Sequence, residues 1–317
     1  MKRNVSLLVK LTISALLLAY LFSTTDLAAL GNRVRRGDLL LISGALALYC
    51  GMLGLATWRW SLLLRTQGFP APLRHLSASY LVASFFNNFL PTNIGGDVIR
   101  VRDASRLTGS TTTSLAVVVI DRILGFGALY LLAAGAFLTG GPEVRGLLGA
   151  SEVLTVLTVV FSIATYVFFR PGTTRRILSA TGLFRLLWLR DRFETVQGAV
   201  HVYRERIPAV WLAGMASVGL QGMLVLYFFT VARALQIPLG LDIALLIVPL
   251  CTLVQAIPVT FNGWGLRESV FILYFGQVGL SRDSALAVSL VGAALIVMLS
   301  LSGAIVWTAR NAEVETQ

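Results

Sequence analysis

The stretch FFNNFLPTNIGGDVIRVRDASR, residues 85–106, decides how this chain folds. An apolar run breaks here into two asparagines, Pro91, a pair of glycines, Asp97 and several arginines, and both flanks are hydrophobic enough to lie in a bilayer. Unwound backbone at membrane depth must be buried in protein or line a cavity, because each unpaired N–H or C=O group costs several kcal/mol in hydrocarbon. The stretch therefore indicates a membrane-embedded site rather than an ordinary loop.

A second stretch, PVTFNGWGLRE from Pro258 to Glu268, repeats the spacing of the first. In both, a proline is followed by four residues and a glycine, then by three residues and an arginine. Two interrupted segments of this kind are typical of transporters built from inverted repeats, where they meet near the membrane midplane. We therefore expect the two stretches to contribute to one site.

The composition indicates an integral membrane protein. Hydrophobic residues make up 56% of the 317 residues and charged residues only 13%, whereas about 25% are charged in a soluble domain. We predict a single all-α domain over residues 1–317, a polytopic bundle of membrane helices. The first span is interpreted as a transmembrane helix, because no signal-peptide cleavage site follows it. Six segments are apolar and long enough to be clear spans: 5–23, 39–57, 113–138, 152–169, 208–232 and 284–309.

Two further apolar regions, 76–106 and 243–280, contain the breaks and are predicted to form re-entrant hairpins of opposite orientation. Loop charge supports this, because Lys and Arg are in excess on the cytoplasmic side of membrane proteins. If each region crossed once, the stretch 170–207, with eight arginines and three acidic residues, would face outward. With hairpins, this stretch and both termini are cytoplasmic in a multi-pass protein of the cell (inner) membrane. Crossing by all eight segments is the alternative.

Segment 175–206 is interpreted as a cytoplasmic helix that lies in the membrane interface. Its apolar residues recur at roughly helical spacing among arginines, which suits an apolar face in lipid and a basic face near anionic headgroups. A polar connector is the alternative.

The net charge of +11 is scattered between apolar segments, so nucleic acid is not an expected partner. The expected partners are membrane lipids, since arginine grips phosphate with a planar fork of donors. A coding bias toward arginine, with the usual basic excess in cytoplasmic loops, is the other explanation of the charge.

The first stretch supplies six candidate substrate-binding residues: Asn88, Asn93, Gly95, Gly96, Asp97 and Arg100. The asparagines are uncharged hydrogen-bonding groups, and the glycines let the backbone turn and expose N–H donors. A helix that restarts near Asp97 would direct the positive end of its dipole at an anion, and Arg100 would add a charged fork one turn later. A plain turn between two helices, with Asp97 as the N-cap, is the alternative.

The second stretch supplies five more candidates: Asn262, Gly263, Gly265, Arg267 and Glu268. The asparagine and the glycines provide unwound backbone, and the last two residues place a charge pair just after it. Trp264 is interpreted as an interfacial anchor, because tryptophan is enriched at membrane–water interfaces; a residue that covers the site is the alternative.

Asp121 and Arg122 are candidates because they lie inside the predicted span 113–138. A charge near the centre of a spanning helix costs about 2.5–3.5 kcal/mol even on a lenient insertion scale. Adjacent helical residues point in different directions, so each needs a partner elsewhere. Such pairs either hold the bundle together or yield to a substrate phosphate that displaces a carboxylate from an arginine. The expected pairs are Asp121 with Arg267 or Arg100, and Arg122 with Glu268 or Asp97.

The chain shows no motif of a hydrolase, a transferase or a nucleotide-binding protein. Neither a Gly-x-Ser-x-Gly elbow nor a Walker A sequence is present, and Cys50 and Cys251 lie in apolar runs without metal-ligand spacing. We therefore predict no enzymatic activity, no cofactor and no metal.

Three motifs in order, FLPTNIGGDVIR, VVIDRILG and IPVTFNGWGLRE, resemble the transmembrane, flippase-like domain of lysylphosphatidylglycerol synthases. The resemblance covers essentially the whole chain and implies movement of anionic or polyprenyl-linked lipids between leaflets. The chain ends shortly after the last predicted span, so we expect a stand-alone member without lipid lysylation of its own. Asn262 stands where many members have a glycine. The family positions that carry over are Pro91, Gly95, Gly96, Asp97, Arg100, Asp121, Arg122, Pro258, Gly263, Gly265, Arg267 and Glu268.

The sequence thus predicts a flippase-like transporter of an anionic phospholipid or a polyprenyl-phosphate-linked lipid. Its headgroup would enter between the two hairpins, where Arg100, Arg267 and the glycine N–H groups would hold the phosphate. The alternative is a membrane accessory or scaffold protein that recruits a lipid- or glycan-modifying enzyme through segment 175–206. An intramembrane transferase is a third hypothesis, and the oligomeric state is left open.

Overall fold

The structure is a computed structural model that describes residues 12, 15–17, 19–21, 23, 31–32, 34–90, 95–180, 201–257 and 259–315. Helices and their connections account for these residues, and no strand occurs among them. The predicted all-α class is confirmed. The helices are α1 (Leu39–Thr66), α2 (Leu73–Phe89), α3 (Gly95–Thr108), α4 (Thr111–Thr139), α5 (Pro142–Arg145), α6 (Ala150–Phe169), α7 (Pro171–Ala180), α8 (Ile207–Ala234), α9 (Leu241–Gln255), α10 (Leu266–Gln277) and α11 (Arg282–Glu315).

Five of these helices, α1, α4, α6, α8 and α11, are long and apolar enough to cross a membrane. They coincide with five of the six predicted spans, and the sixth, 5–23, lies mostly outside the described residues. The protein is therefore a polytopic membrane helix bundle. Its long helices begin at side-chain caps where these are available, as at α1, where the Asp38 carboxylate accepts from the N–H groups of Leu40 (2.8 Å) and Leu41 (3.2 Å).

Helices α1 and α8 pack against each other and run antiparallel. At one end the Asp38 N–H donates to the carbonyl of Ala234 (2.9 Å). Farther along, Arg59 Nη1 donates to Ser217 Oγ (2.6 Å). Residue numbers rise along α1 from Asp38 to Arg59, while those of their partners in α8 fall from Ala234 to Ser217. The two helices therefore run in opposite directions.

The last helix, α11, begins at the same end of the bundle as α1. The hydroxyl of Tyr227, near the end of α8, donates to the carbonyl of Gly292, near the beginning of α11 (2.5 Å). The far part of α11, which contains Arg310, therefore lies at the opposite end. We call the two ends of the bundle the Asp38 end and the Arg310 end.

The first hairpin, α2 and α3, has both of its outer ends at the Arg310 end. Arg310 Nη2 donates to the carbonyl of His75 in the first turn of α2 (3.1 Å). Arg310 Nη1 lies 3.1 Å from Oδ2 of Asp103, in the second half of α3. The chain thus enters and leaves the bundle at one end, and the tip of the hairpin lies inside.

The second hairpin, α9 and α10, has its outer ends at the Asp38 end. Helix α9 begins shortly after α8 ends there, and α10 ends shortly before α11 begins there. Asn262, between α9 and α10, donates from Nδ2 to the carbonyl of Asn88 in α2 across 3.5 Å. The two hairpins therefore enter from opposite ends and meet at their tips; their re-entry into the bilayer stays a prediction.

The second break depends on left-handed backbone. Asn262, Gly263 and Gly265 have φ values of 48°, 76° and 84°, a region that glycine enters without a steric penalty. A side chain at Gly263 would overlap that of Gln255, whose amide Nε2 donates to the carbonyl of Asn262 (3.2 Å). These constraints explain why the helix ends at Gln255 and restarts only at Leu266.

The predicted interfacial helix over 175–206 is described only in part. Helix α7 covers Pro171–Ala180, residues 201–205 are helical, and residues 181–200 lie outside the described residues. This segment stays a prediction.

Candidate functional site

Five charged side chains meet in the interior of the bundle, and we call them the arginine–aspartate cluster. They are Arg59 of α1, Asp97 and Arg100 of α3, and Asp121 and Arg122 of α4. Asp121 bridges two arginines: its Oδ1 lies 2.7 Å from Arg59 Nε and its Oδ2 lies 2.9 Å from Arg100 Nη2. Asp97 forms a direct ion pair with Arg122 and lies 3.7 Å from Arg100 Nη1. The cluster thus joins the first hairpin to two spanning helices.

Burial of these charged side chains has a free-energy cost. Asp121 is 2% exposed, and Arg59 and Arg100 are each 4% exposed. Removing such groups from water costs several kcal/mol per ion, which close pairing and extra hydrogen bonds must offset. Arg59 gains one such bond from Ser217 of α8.

The guanidinium of Arg100 is also held between two aromatic rings. Its carbon lies 4.7 Å from the ring centre of Trp60 and 4.8 Å from that of Tyr80. Such cation–π contacts are most favourable when desolvated. Its Nε has no hydrogen-bond partner among the described residues. Arg100 is therefore oriented by two rings and a carboxylate while one of its donors remains unused.

A cavity of about 390 Å³, the polar cavity, lies against the cluster. This volume falls within the range of about 300–1,000 Å³ that is usual for ligand pockets. Its walls contain three arginines and two aspartates, which give a net charge of +1. The uncharged polar groups that line it are Tyr49, Tyr80, Ser84, Asn87, Asn88, Gln221 and Thr252. The arrangement suits an anionic group that can accept several hydrogen bonds.

The second break builds a smaller charged site at the start of α10. Arg267 Nη2 lies 2.5 Å from Oε1 of Glu268, and Ser289 of α11 donates to the same carboxylate oxygen (2.9 Å). The ring of Trp264 lies 5.3 Å from the Arg267 guanidinium carbon. Trp264 and Arg267 line a cavity of about 130 Å³, the Arg267 cavity. The structure thus places Trp264 in a cavity wall, against its interpretation as an interfacial anchor.

The two cavities adjoin each other. Asn88, Thr252 and Ile296 belong to the walls of both. Asn262 lines the Arg267 cavity and reaches the Asn88 carbonyl that separates them. The two stretches therefore contribute to adjoining chambers, in agreement with their expected proximity.

The glycine N–H groups are engaged within the protein. The Gly96 N–H donates to Asn87 Oδ1 (2.7 Å), and the Gly265 N–H donates to Glu268 Oε2 (2.7 Å). A side chain at Gly96 would overlap the carbonyl oxygen of Ala83. Gly96 thus allows close packing within the first hairpin, and the expected role of these two N–H groups as donors to a phosphate would require their present bonds to open.

The helix of the first break begins earlier than expected, at Gly95. Asp97 is the third residue of α3, and its carboxylate pairs with Arg122 rather than capping the helix. The N-cap alternative is therefore wrong.

The predicted charge pairs form between the first stretch and α4. Asp121 pairs with Arg100, and Arg122 pairs with Asp97, which is one of the two expected partners in each case. The other two expected partners pair with each other instead, because the Arg267 side chain folds back onto Glu268. Asn93 lies outside the described residues, as do Pro91 and Pro258.

Sequence reasoning missed Arg59, Trp60 and Tyr80. The predicted span ended at residue 57, which assigned Arg59 to a cytoplasmic loop, whereas α1 continues to Thr66. The signal that could have found it is the sequence around Arg59, WRWSLLL, which stays apolar beyond the predicted end.

Comparisons with known proteins agree with this architecture. A family model described as the lysylphosphatidylglycerol synthase TM region matches residues 7–303. The chain is also similar to a UPF0104 membrane protein from Methanothermobacter thermautotrophicus, with 25% identity over 279 residues and coverage of 82% of each chain. The residues matched by the family model include both hairpins and the whole arginine–aspartate cluster. The chain therefore belongs to the family of the lysylphosphatidylglycerol synthase transmembrane region.

Proposed function

We propose that this protein is a flippase-like transporter that moves an anionic phospholipid or a polyprenyl-phosphate-linked lipid between the leaflets of the cell membrane. The observation that carries the proposal is the polar cavity with a net charge of +1 inside a bundle of apolar helices. Charged side chains inside a membrane bundle are costly, and where they occur they usually mark a substrate or ion pathway. The family name supports a phospholipid, because lysylphosphatidylglycerol is built on one.

Charge balance favours a single phosphate group as the ligand. Two of the three positive charges in the polar cavity are balanced by Asp97 and Asp121. One phosphodiester would balance the third, and arginine forms bidentate hydrogen bonds with phosphate oxygens. Arg100 is the residue best placed to bind this phosphate. Two aromatic rings fix its guanidinium, and its Nε has no hydrogen-bond partner among the described residues.

Arg59 allows Arg100 to change partners. A phosphate that binds Arg100 would compete with Asp121 for the same guanidinium. Asp121 would remain paired with Arg59 across 2.7 Å, so the exchange would leave no buried carboxylate without a partner. The Arg267 cavity would receive the headgroup next, and alternate opening of the two hairpins would expose it to the other leaflet.

The test compares lipids that copurify with wild type, Arg100→Lys and Arg267→Lys, together with transport of fluorescent phosphatidylglycerol in proteoliposomes. Lysine keeps the charge and removes the planar fork. Hydrogen bonds to a charged group contribute about 1.5–3 kcal/mol each, so we expect about tenfold or greater loss of lipid enrichment. Arg106→Ala is the matched control, because Arg106 is exposed at the end of the same helix as Arg100.

Unchanged enrichment and transport in both folded lysine variants would contradict the proposal. Wild-type protein that retains only the bulk lipid mixture and transports nothing would instead favour the accessory or scaffold hypothesis.

A further inference from the structure

A third cavity opens on the outer surface of the bundle between α1 and α2, and we call it the α1–α2 groove. Its volume is about 210 Å³, and its lining includes Cys50, Leu53, Gly54, Thr57 and Ser77. Cys50 and Gly54 are exposed, so the groove is open to whatever surrounds the bundle. An apolar cavity of about 150 Å³ is already large enough to bind benzene.

The groove offers an apolar wall despite the hydroxyl groups of Thr57 and Ser77. The Thr57 hydroxyl donates to the Leu53 carbonyl (2.8 Å), and the Ser77 hydroxyl donates to the Leu73 carbonyl (2.9 Å). Both protons are therefore used within their own helices, and the methyl and methylene groups face the occupant. A hydrocarbon chain fits such a wall, whereas a polar occupant would find few partners there.

The groove adjoins the polar cavity across a shared wall. Leu53 and Tyr80 belong to the walls of both. Tyr80 also stacks on the guanidinium of Arg100, so one side chain separates the apolar groove from the residue proposed to bind phosphate. A lipid whose phosphate binds at Arg100 would therefore have the groove directly on the other side of Tyr80, within reach of its hydrocarbon chain.

We propose that the α1–α2 groove holds one hydrocarbon chain of the lipid whose headgroup occupies the polar cavity. This inference rests on the proposed function and adds a chain-binding subsite to it. The hydrocarbon chain of the lipid leaves the polar cavity past Tyr80 and runs between α1 and α2 to the surrounding bilayer. The open side of the groove lets a lipid enter sideways from the membrane without moving its chain through water.

Gly54 provides a selective way to fill the groove. No described atom lies within 4 Å of a side-chain carbon built at Gly54 or at Gly44, a second glycine of the same helix. Gly54 lines the groove and Gly44 does not, so Gly54→Leu adds an isobutyl group at the groove wall, while Gly44→Leu adds the same group elsewhere on α1. Both changes replace a helical glycine by a strong helix former, so they are matched in backbone effect.

The experiment uses phosphatidylglycerol with a photoreactive diazirine on one acyl chain, bound to the purified full-length protein. In wild type we expect cross-links to peptides that contain residues 50–57 and 77–81, and we expect excess unlabelled phosphatidylglycerol to suppress them. Gly54→Leu should reduce this cross-linking and the binding of the intact lipid by roughly tenfold, the scale of an overpacking penalty. Gly44→Leu should leave both unchanged.

A chain-free probe, glycerophosphoglycerol, separates the groove from the headgroup site. We expect it to bind wild type and Gly54→Leu equally. If intact lipid also binds both equally, or if cross-links in the groove form equally with phosphatidylcholine and resist competition, the groove assignment is wrong while the headgroup site stands. If neither probe binds wild type, the phospholipid form of the proposed function fails and the groove assignment fails with it.

Discussion

Asp121 is the residue on which the charge balance of the cluster depends. Its two carboxylate oxygens pair with two different arginines, and all three residues are at most 4% exposed. Neither Arg59 nor Arg100 can turn to water if the carboxylate is lost. The position therefore links the stability of the bundle to the properties of the ligand site.

We predict that Asp121→Asn lowers the free energy of unfolding by about 3–5 kcal/mol, because it leaves buried arginines without their carboxylate. Equilibrium unfolding in mixed micelles measures this loss. The double variant Asp121→Asn, Arg100→Gln should recover part of it, since it removes one of the unpaired charges. Asp242→Asn is the control; Asp242 is exposed in the first turn of α9, where a charge contributes about 0.3–1 kcal/mol. Equal losses at positions 121 and 242 would contradict the structural role of Asp121.

Among the elements, the first hairpin is fastened to α11 by Arg310. This arginine contacts α2 at the His75 carbonyl and α3 at Asp103, and Asp103 also accepts a hydrogen bond from Ser79 of α2. The tip of the hairpin carries Asn88 and Arg100 to the polar cavity. A contact at the outer end therefore helps to position the cavity.

We predict that Arg310→Ala loosens the outer end of the first hairpin without unfolding the bundle. Hydrogen exchange of the amides in residues 73–80 and 101–106 should accelerate, because the ion pair and the hydrogen bond that join them to α11 are lost. Arg65→Ala, at an exposed position near the same end, should not change this exchange. Protection that is identical in all three proteins would show that Arg310 does not hold the hairpin.

Element type and the position of the breaks followed from the sequence, because long apolar runs and a Pro–Gly interruption are local signals. The partners of the charges did not follow, since several arginines could reach each carboxylate and only packing selects among them. Arg267 pairs with its neighbour Glu268 at the start of α10, directly after left-handed backbone. Residue spacing alone does not reveal this pairing. Arg59 was missed for a related reason: a charge near a helix end resembles a loop residue until its buried partners are known.

At the scale of the whole molecule, the loops at the two ends of the bundle differ in charge. Arg65, Arg74, Arg102 and Arg106 lie near the Arg310 end. Helix α4 begins at that end, so its connection to α6 lies at the Asp38 end, where Glu143, Arg145 and Glu152 give a net charge of −1. Basic residues mark the cytoplasmic side. We therefore propose that the Arg310 end faces the cytoplasm and that both hairpins are re-entrant.

Cysteine labelling tests this topology in a Cys50→Ala, Cys251→Ala background. Single cysteines at Arg74 and Arg106 mark the two outer ends of the first hairpin, and cysteines at Asp242 and Glu143 mark the opposite end of the bundle. A membrane-impermeant maleimide should label the first two only in inverted vesicles and the last two only in intact cells. Labelling of Arg74→Cys and Arg106→Cys from opposite sides would show that the first region crosses the membrane.

The polar cavity holds three arginines against two aspartates, and this net charge of +1 would make the proposed transport cycle depend on the membrane voltage. With a phosphate monoanion bound, the cavity is electrically neutral. The step that carries the bound lipid across should therefore not depend on the membrane potential. The empty cavity keeps one positive charge, and moving an elementary charge across the field is worth about 2.3 kcal/mol per 100 mV. A potential that is negative inside would therefore draw the empty site toward the cytoplasmic face and make its return outward the slow, electrogenic half of the cycle.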